Sequence, residues 1–463
     1  MREAKGSVEV PSSFRDPSGF LFWQKGILYR QVNLSYKGNY ARLMNSGLYH
    51  ALVEVGLLVP HEEVSLKGPK PKAAYKVLRP EPVPFISYPY EWCFSQLKDA
   101  ALTTLKIQKK ALEFGMSLKD CSAFNIQFRK GRPILLDTLS FERYREGAPW
   151  VAYRQFCQHF LAPLVLMSYK DVRLSQLLRV YVDGIPLDLA SSLLPLRTRF
   201  VFPLLSHLHL HAQSQKHFAD KPVKVGRHRV SRLAFLGILD SLESAVRKLQ
   251  WQATATEWAD YYQDTNYSKE AFEDKKAAVA QLLDRAKPKT VWDLGANVGI
   301  FSRLASQRGI ETIAIDGDAA TVERLYLDCV AKGETKILPL LVDLTNPTPA
   351  IGWENRERMT LAERGPADTV LALALLHHLA IGNNLPFIKV ANFLRDICHT
   401  LIIEFIPKDD SQVRRLLQTR EDIFPDYTKR VFEREFGRCF KIEARLPIRD
   451  SKRTLYLMRR NKK

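Results

Sequence analysis

Between residues 268 and 406 the chain alternates short apolar runs with segments that carry an apolar residue at every third or fourth position. The apolar runs lack the polar alternation of half-exposed strands, so they predict strands buried on both faces. The other segments predict amphipathic helices. The predicted strands are TVWDLG at 290–295, TIAIDG at 312–317, ILPLLVDL at 337–344, TVLALAL at 369–375 and TLIIEFI at 400–406, and the predicted helices cover 269–286, 299–308, 319–332 and 385–398.

Two further strand-like runs, FKIEARLPI at 440–448 and TLYLMRR at 454–460, are separated by only a few residues. So short a connection joins antiparallel strands. We therefore predict an α/β fold: a doubly wound, seven-stranded Rossmann-like sheet with an antiparallel terminal hairpin at its edge.

A polar, basic stretch at 212–232 separates this domain from the first half, and the amphipathic pattern of 233–250 follows it. Such a stretch is typical of a linker. We predict a basic N-terminal α+β domain at 1–211, a linker with a helix at 212–255, and the α/β domain at 256–463.

The composition, with 463 residues of which 46% are hydrophobic, excludes a mainly disordered or collagen-like chain. The N-terminus lacks an apolar run that could serve in a signal peptide, and no run of about 18 apolar residues predicts a membrane span. The six cysteines are scattered and no two have C-x-x-C spacing, which indicates reduced thiols. We therefore expect a cytoplasmic protein.

The formal net charge of +19 belongs mainly to the first half: residues 1–250 contain 36 Lys+Arg against 20 Asp+Glu, and residues 251–463 contain 33 against 30. A basic surface attracts nucleic acid, anionic glycans and phospholipid headgroups alike. It can equally be a solubilising surface. No arginine-rich tail favours nucleic acid, so the charge leaves the partner open.

Candidate ligand-binding residues follow three successive predicted strands. The first strand runs into a turn of small residues, which lets the backbone approach a ligand closely. Asp316 ends the second strand, 21 residues beyond Gly295, where a carboxylate can accept both hydroxyls of a ribose. Loops at the carboxyl ends of adjacent parallel strands meet in one crevice. The candidates are Asp293, Gly295, Asn297 and Gly299 in the turn, Asp316, and Asp343 with Leu344 after the third strand.

The turn alone fits a dinucleotide, a phosphate, S-adenosylmethionine or a purely structural tight turn. A dehydrogenase is disfavoured, because the turn lacks G-x-G-x-x-G spacing and an acid follows the third strand. The runs VWDLGANVGIFS, AIDGD, LLVDL and LALLHHL, with the terminal hairpin, resemble class I S-adenosylmethionine-dependent methyltransferases over about 255–463. Residues 346–384 and the run LIIEFIPKDD are also similar to bacterial methyltransferases that include nodulation-associated proteins.

This resemblance implies S-adenosyl-L-methionine as the cofactor and transfer of its methyl group to an O or N acceptor. It also implies a role for each candidate residue. The methionyl part falls to Asp293, Gly295, Asn297 and Gly299, the ribose to Asp316, and the adenine to Asp343 and Leu344.

Candidate catalytic residues are His377 and His378, which follow the fourth strand at the crevice edge where the family places the acceptor. A neutral imidazole can take a proton from a hydroxyl or amine, and we expect at least one of the pair to face the site. The alternative is that both are structural. Glu404, near the end of the fifth strand, either faces the same cavity or pairs with a local Arg or Lys.

In the N-terminal half, Asp120 and Asn125 have D-x-x-x-x-N spacing and Asp137 follows an apolar strand. This pattern resembles the catalytic loop and metal-binding region of kinase-like phosphotransferases. However, a Gly-rich loop and a V-A-I-K lysine are missing, and Leu118 and Lys119 replace the His and Arg of H-R-D. The half is therefore either a degenerate kinase-like domain or an unrelated helical domain whose acids pair with nearby bases.

The run HLHLH places His207, His209 and His211 on one face of a strand if it is extended, where they could bind a metal. If it is helical, the three side chains diverge. No nearby Cys or acid completes a site, so we predict no metal.

Together these features predict a methyltransferase whose basic N-terminal domain recruits an unidentified acceptor that is anionic or carbohydrate-like. Nucleic acid remains open as a partner without a motif to support it. Two alternatives also remain open: a bifunctional phosphotransferase-methyltransferase, and a non-catalytic scaffold that binds the cofactor.

Overall fold

The first half begins with a five-stranded antiparallel sheet in the computed structural model, which describes residues 7–212, 229–252, 268–418 and 420–461. Its order is β1-β2-β3-β5-β4. Phe20 and Phe22 pack with Val77 on one face, and Val32 packs with Leu78 on the other. The strands are β1 (Val8–Glu9), β2 (Gly19–Gln24), β3 (Ile27–Asn33), β4 (His61–Val64) and β5 (Ala74–Pro80).

Helices and two small antiparallel sheets of two strands each make up most of the rest of this half. Helix α3 is amphipathic and buries Leu97, Ala101 and Leu105 completely. One of these sheets pairs β6 (Met116–Leu118) with β9 (Phe141–Arg143), and the other pairs β7 (Ile126–Arg129) with β8 (Arg132–Leu135). The helices are α1 (Lys37–Asn45), α2 (Leu48–Glu54), α3 (Phe94–Glu113), α4 (Tyr153–Phe156), α5 (Ala162–Tyr169), α6 (Leu177–Val180), α7 (Leu187–Leu193), α8 (Phe202–Leu204) and α9 (Arg232–Lys248).

The second half contains a seven-stranded sheet in the order β12-β11-β10-β13-β14-β16-β15. Strands β10 to β14 are parallel, and β16 and β15 add antiparallel. The strands are β10 (Thr290–Leu294), β11 (Glu311–Asp316), β12 (Ile337–Leu341), β13 (Ala367–Ala372), β14 (Cys398–Phe405), β15 (Phe440–Pro447) and β16 (Thr454–Arg460). The helices are α10 (Lys269–Ala286), α11 (Ile300–Ser306), α12 (Ala319–Lys332), α13 (Phe387–Ile397), α14 (Ser411–Leu417) and α15 (Lys429–Gly437).

The sheet and its helices follow the predicted α/β pattern. The residues at which helices begin and end carry clear capping signals. Ser268 Oγ accepts the N–H of Ala271 at 3.1 Å and begins α10, and the left-handed Gly333 ends α12. The third strand is shorter than predicted and ends at Leu341. Helices α14 and α15 were not predicted. Among the described residues no helix is long and apolar enough to cross a membrane.

The described residues divide into two compact units, and the division differs from the predicted domains. The first unit contains the described residues up to Gln252 together with Ala350–Arg358, and the second contains the rest. The helix predicted within the linker is α9, and it belongs to the first unit. Its Phe235 ring lies 5.9 Å from that of Trp150, so its apolar face is a packing surface. Residues 213–228 and 253–255 of the predicted linker lie outside the described residues.

The segment Ala350–Arg358, predicted as part of the second domain, packs within the first unit through two charged residues. The Glu357 carboxylate is buried and accepts hydrogen bonds from Arg15 Nε at 3.0 Å and Nη2 at 2.8 Å. The next residue, Arg358, places its guanidinium 4.2 Å from the centre of the Phe124 ring. A bidentate carboxylate–guanidinium pair and a cation–π contact therefore hold the segment.

We expect Glu357→Gln to raise the rate of tryptic cleavage within this segment by about 2- to 5-fold. A partly exposed ion pair contributes roughly 0.5–1 kcal/mol, and cleavage of a transiently open segment follows its opening equilibrium. The rate is measured by mass spectrometry of timed digests of the full chain. The control is Glu354→Gln, which removes the charge of an exposed neighbour and should leave the rate unchanged. Equal rates for wild type and Glu357→Gln would contradict the prediction.

Candidate functional site

A cavity of about 480 Å³ opens at the carboxyl ends of β10 to β13 in the second unit. This is the edge where parallel sheets of this kind bind ligands. Six of the predicted cofactor residues line it, and His378 joins them. The six are Asp293, Gly295, Asn297, Asp316, Asp343 and Leu344.

The turn after β10 has the tight geometry that its small residues predict. Gly295 and Asn297 adopt positive φ angles of 74° and 50°, and the N–H of Gly295 donates to the carbonyl of Ile315 at 2.8 Å. Gly299 does not line the cavity. It has a φ of 77°, and a Cβ there would lie 2.6 Å from Leu325 Cδ1. Gly299 is thus required for the turn and for close helix packing, rather than for contact with a ligand.

Asp316 presents a partly buried carboxylate to the cavity. Its Oδ2 accepts the N–H of Asn297 at 2.8 Å, and its Oδ1 accepts the N–H of Asp318 at 2.9 Å. Burial raises its pKa above the ordinary value, although both hydrogen bonds act in the opposite direction. A carboxylate oxygen can accept more than one hydrogen bond, so Asp316 is held in place and can still accept from a ligand.

Asp343 lies at the next strand end, on the cavity wall beside Leu344. One oxygen, Oδ1, accepts from the backbone N–H and the hydroxyl of Thr345, at 2.8 and 2.7 Å. This local turn orients the carboxylate. Because this turn takes residues 343–345 out of the extended conformation, the strand ends at Leu341 and not at the predicted residue 344.

Asp293 lies in β10 just before the turn, where its buried side chain borders the cavity. The Ser302 hydroxyl donates to its Oδ2 at 2.6 Å. Burial raises its pKa to about 6, and the neighbouring charge of Asp316 acts in the same direction. At neutral pH the ionised form of Asp293 therefore carries an electrostatic cost.

Glu404, a predicted catalytic residue, does not line the cavity. It is completely buried, with Oε2 2.7 Å from Lys275 Nζ and 2.8 Å from the backbone N–H of Ala374, which donates to it. Ala374 lines the cavity and has a φ of 49°, a left-handed conformation unusual for alanine. The structure therefore supports the alternative that Glu404 pairs with a nearby basic residue, which is Lys275. Glu404 also holds the backbone of the loop after β13 through Ala374.

Lys275 is a cavity residue that the sequence analysis missed. It belongs to the buried face of α10 with Ala271 and Val279, and its ammonium lies 5.0 Å from the centre of the Phe301 ring. Burial lowers its pKa, and the Glu404 carboxylate acts in the opposite direction. A lysine within an otherwise apolar helical stripe was the available signal.

The two histidines have different positions. His378 lines the cavity, whereas His377 is buried behind it, and their ring centres are 4.0 Å apart. Neither ring nitrogen of His377 has a hydrogen-bond partner within the described part of the chain. Burial lowers the pKa of His378 to about 4 and that of His377 well below its ordinary value. Both imidazoles are therefore neutral at physiological pH.

In the first unit, the acids of the kinase-like pattern are engaged by neighbouring groups. The Asp137 carboxylate lies 2.7 Å from Arg30 Nη2 and accepts the N–H of Leu139. Asp120 accepts the N–H of Ser122 at 2.9 Å. Lys119, which replaces the Arg of H-R-D, donates to Ser18 Oγ at 2.8 Å.

The HLHLH run is helical: His207 and His209 lie in the π-helical turn Leu205–Leu210, and His211 follows it. His207 Nδ1 lies 2.7 Å from the Tyr153 hydroxyl, and His207 Nε2 lies 2.9 Å from the Ser241 hydroxyl. His209 is held in the same way by hydroxyls at 2.8 and 2.9 Å. These two histidines serve the packing of the first unit.

Comparison with known proteins gives one relative along nearly the whole chain. The chain is 36% identical over 460 residues, 98% of its own length, to the nodulation protein NoeA of Rhizobium meliloti (strain 1021), covering 96% of that protein. This confirms the resemblance to nodulation-associated proteins. No family model matches the chain.

Three similar solved structures are methyltransferases. The N-methyltransferase NodS from Bradyrhizobium japonicum WM9, in complex with S-adenosyl-l-homocysteine, is 13% identical over 45% of this chain and 94% of that one, with a TM-score of 0.32. The magnesium protoporphyrin IX methyltransferase ChlM from Synechocystis PCC 6803, with bound SAH, is 18% identical over 44% of this chain and 92% of that one, with a TM-score of 0.31. The bifunctional kinase-methyltransferase WbdD is 16% identical over 44% of this chain and 43% of that one, with a TM-score of 0.31. The match thus spans less than half of the WbdD chain.

We expect Asp293→Asn to raise the thermal unfolding temperature of the second unit at neutral pH. Because the folded-state pKa is raised to about 6, ionisation of Asp293 opposes folding, and asparagine can still accept from Ser302. The increase in unfolding temperature relative to wild type should be absent below about pH 4, should grow between about pH 4 and about pH 6, and should stay constant above about pH 6.

Calorimetry of both full-length proteins across this pH range measures the gain. Asp284→Asn is the control, because Arg308 lowers the pKa of this exposed carboxylate and its neutralisation should give no such gain. A gain that does not depend on pH would contradict the assignment.

Proposed function

The chain belongs to the family of the nodulation protein NoeA, and we propose that it is an S-adenosyl-L-methionine-dependent methyltransferase with an O or N acceptor. The observation that carries the proposal is the convergence of Asp316, Asp343 and the Gly295 turn on one cavity at the carboxyl ends of parallel strands. Carboxylates and a close-approaching backbone are the groups that a nucleoside-bearing ligand requires. Six buried free cysteines suit the reducing conditions of the cytoplasm, which we propose as its compartment.

The residues present fit this cofactor. Asp316 would accept from the ribose hydroxyls, and Asp343 and Leu344 would border the adenine. The turn from Asp293 to Asn297 would receive the methionyl part. Lys275 lies at the α10 side of the cavity, where its ammonium is paired with Glu404. When bound, the cofactor supplies an electrophilic methyl group.

His378 is the residue that we propose to face the acceptor. Its neutral imidazole can remove a proton from a hydroxyl or an ammonium before or during methyl transfer. His377 supports it from behind, and Glu404 holds the backbone of the same loop through Ala374. Orientation of the acceptor in a desolvated cavity would supply much of the rate.

Calorimetric titration of the full-length protein with S-adenosylmethionine tests the cofactor assignment. We expect binding by wild type and weakening of about 10- to 150-fold in Asp316→Asn, because a hydrogen bond to a charged group contributes about 1.5–3 kcal/mol. Asp284→Asn, on the exposed side of α10, should bind like wild type. Absence of binding by wild type would overturn the proposal, and unchanged affinity in Asp316→Asn would overturn the role of this residue.

Turnover distinguishes the enzyme from a scaffold that only binds the cofactor. A scaffold would bind S-adenosylmethionine and form no S-adenosylhomocysteine with any acceptor. Anionic and carbohydrate acceptors are the first to test, given the excess of basic residues in 1–250.

The bifunctional alternative predicts phosphate transfer by the first unit, and we expect none. Asp137 would have to hold Mg²⁺, yet the Arg30 guanidinium already neutralises its carboxylate at 2.7 Å. The measurement is release or transfer of the γ-phosphate of labelled ATP in the presence of Mg²⁺. Transfer that is abolished in Asp137→Ala and retained in Asp284→Ala would show the first unit to be a phosphotransferase.

A further inference from the structure

A small surface of the first unit exposes aromatic and cationic side chains together. We name it the Phe-Arg patch, and it consists of Leu196, Arg197, Arg199, Phe200 and Phe202. Phe200 is 89% exposed, Phe202 77% and Leu196 71%. Both arginines are exposed as well. Phenylalanines with this exposure contribute little apolar burial to the fold, so their exposed surface is available for binding.

The patch is presented by a well-anchored element. Leu196–Phe200 is a 3-10 helix that follows Pro195, and Phe202 begins α8. Thr198 points inward and is fully buried, with its hydroxyl 2.9 Å from His209 Nε2 and donating to the Pro195 carbonyl at 2.7 Å. The inward anchor at Thr198 leaves its neighbours on the outside of the turn.

Basic residues accompany the apolar residues of the patch. No Asp or Glu occurs in the sequence between Asp188 and Asp220. The Arg197 guanidinium lies 5.4 Å from the centre of the Tyr169 ring, and the next residue, Lys170, is exposed. Arg197 and Arg199 therefore place positive charge beside the apolar side chains, within the half of the chain that carries the excess of Lys and Arg.

We propose that the Phe-Arg patch docks the protein on a membrane surface that contains anionic phospholipid. Leu196, Phe200 and Phe202 enter the boundary between headgroups and acyl chains, and Arg197 and Arg199 contact the phosphates. Interfacial binding combines apolar insertion with attraction to anionic lipid. Three apolar side chains are few for a stable protein interface, which buries about 800 Å² per partner, but suffice for reversible membrane binding assisted by cations.

Co-sedimentation of the full-length protein with vesicles tests this proposal. We expect binding to phosphatidylcholine vesicles that contain phosphatidylglycerol, weaker binding to pure phosphatidylcholine, and loss of binding as salt is raised. Phe200→Ser with Phe202→Ser should lower the partition coefficient about tenfold or more, because the apolar insertion is lost. Arg197→Gln with Arg199→Gln should lower it roughly 10- to 30-fold on the anionic vesicles and hardly at all on pure phosphatidylcholine.

The matched control replaces two exposed apolar residues of the second unit, Leu327→Ser with Val330→Ser on α12, which are 49% and 52% exposed. This variant should bind vesicles like wild type. Unfolding temperatures of both serine variants should equal that of wild type, because the replaced side chains are exposed. Wild-type binding by the Phe200→Ser, Phe202→Ser variant would overturn the proposal. A wild-type dimer that this variant dissociates in sedimentation velocity would also overturn it, and would assign the patch to contact between copies.

Discussion

The buried ion pair between Lys275 and Glu404 is the interaction on which the cavity of the second unit depends. Two charges removed from water are costly, and they persist only where pairing and hydrogen bonds compensate. Here one carboxylate oxygen receives both the Lys275 ammonium and the N–H of Ala374. The same contact thus connects the helix that begins the unit with the loop after its fourth parallel strand. Replacement of either residue would remove this pairing from a partner that is itself buried.

A second buried pair extends this network toward the terminal hairpin. Arg453 Nε and Nη2 donate to the two oxygens of Asp410 at 2.8 and 3.0 Å, and Arg453 Nη1 lies 3.8 Å from Glu404 Oε1. The hairpin is therefore more than an edge of the sheet, since it supplies the charge behind Glu404. The result is a polar cavity with a cation on the α10 side and the carboxylates of Asp316 and Asp343 at the strand ends.

The first unit uses its charges differently. Two of its buried or half-buried acids, Asp137 and Glu357, are paired with arginines, which stabilises the unit and leaves these acids engaged. The segment Ala350–Arg358 follows the strand end that carries Asp343 and packs in this unit. The segment Ala350–Arg358 thus has a structural role. Exposed residues of the first unit, such as Phe200 and Arg199, are instead accessible to a partner.

The sequence by itself determined the order and type of the parallel strands, of helices α10 to α13 and of the terminal hairpin, because burial on both faces and helix capping are local properties of consecutive residues. It did not indicate α14 and α15. It also identified Asp316, Asp343 and the Gly295 turn, since strand ends converge in any sheet of this kind. It could not choose between the roles of His377 and His378, which differ only in the direction that each side chain takes from the same loop. Only the tertiary structure paired Lys275 with Glu404 and placed Ala350–Arg358 in the first unit. Those contacts join residues more than 100 positions apart, and no local pattern specifies which distant charge will compensate a buried one.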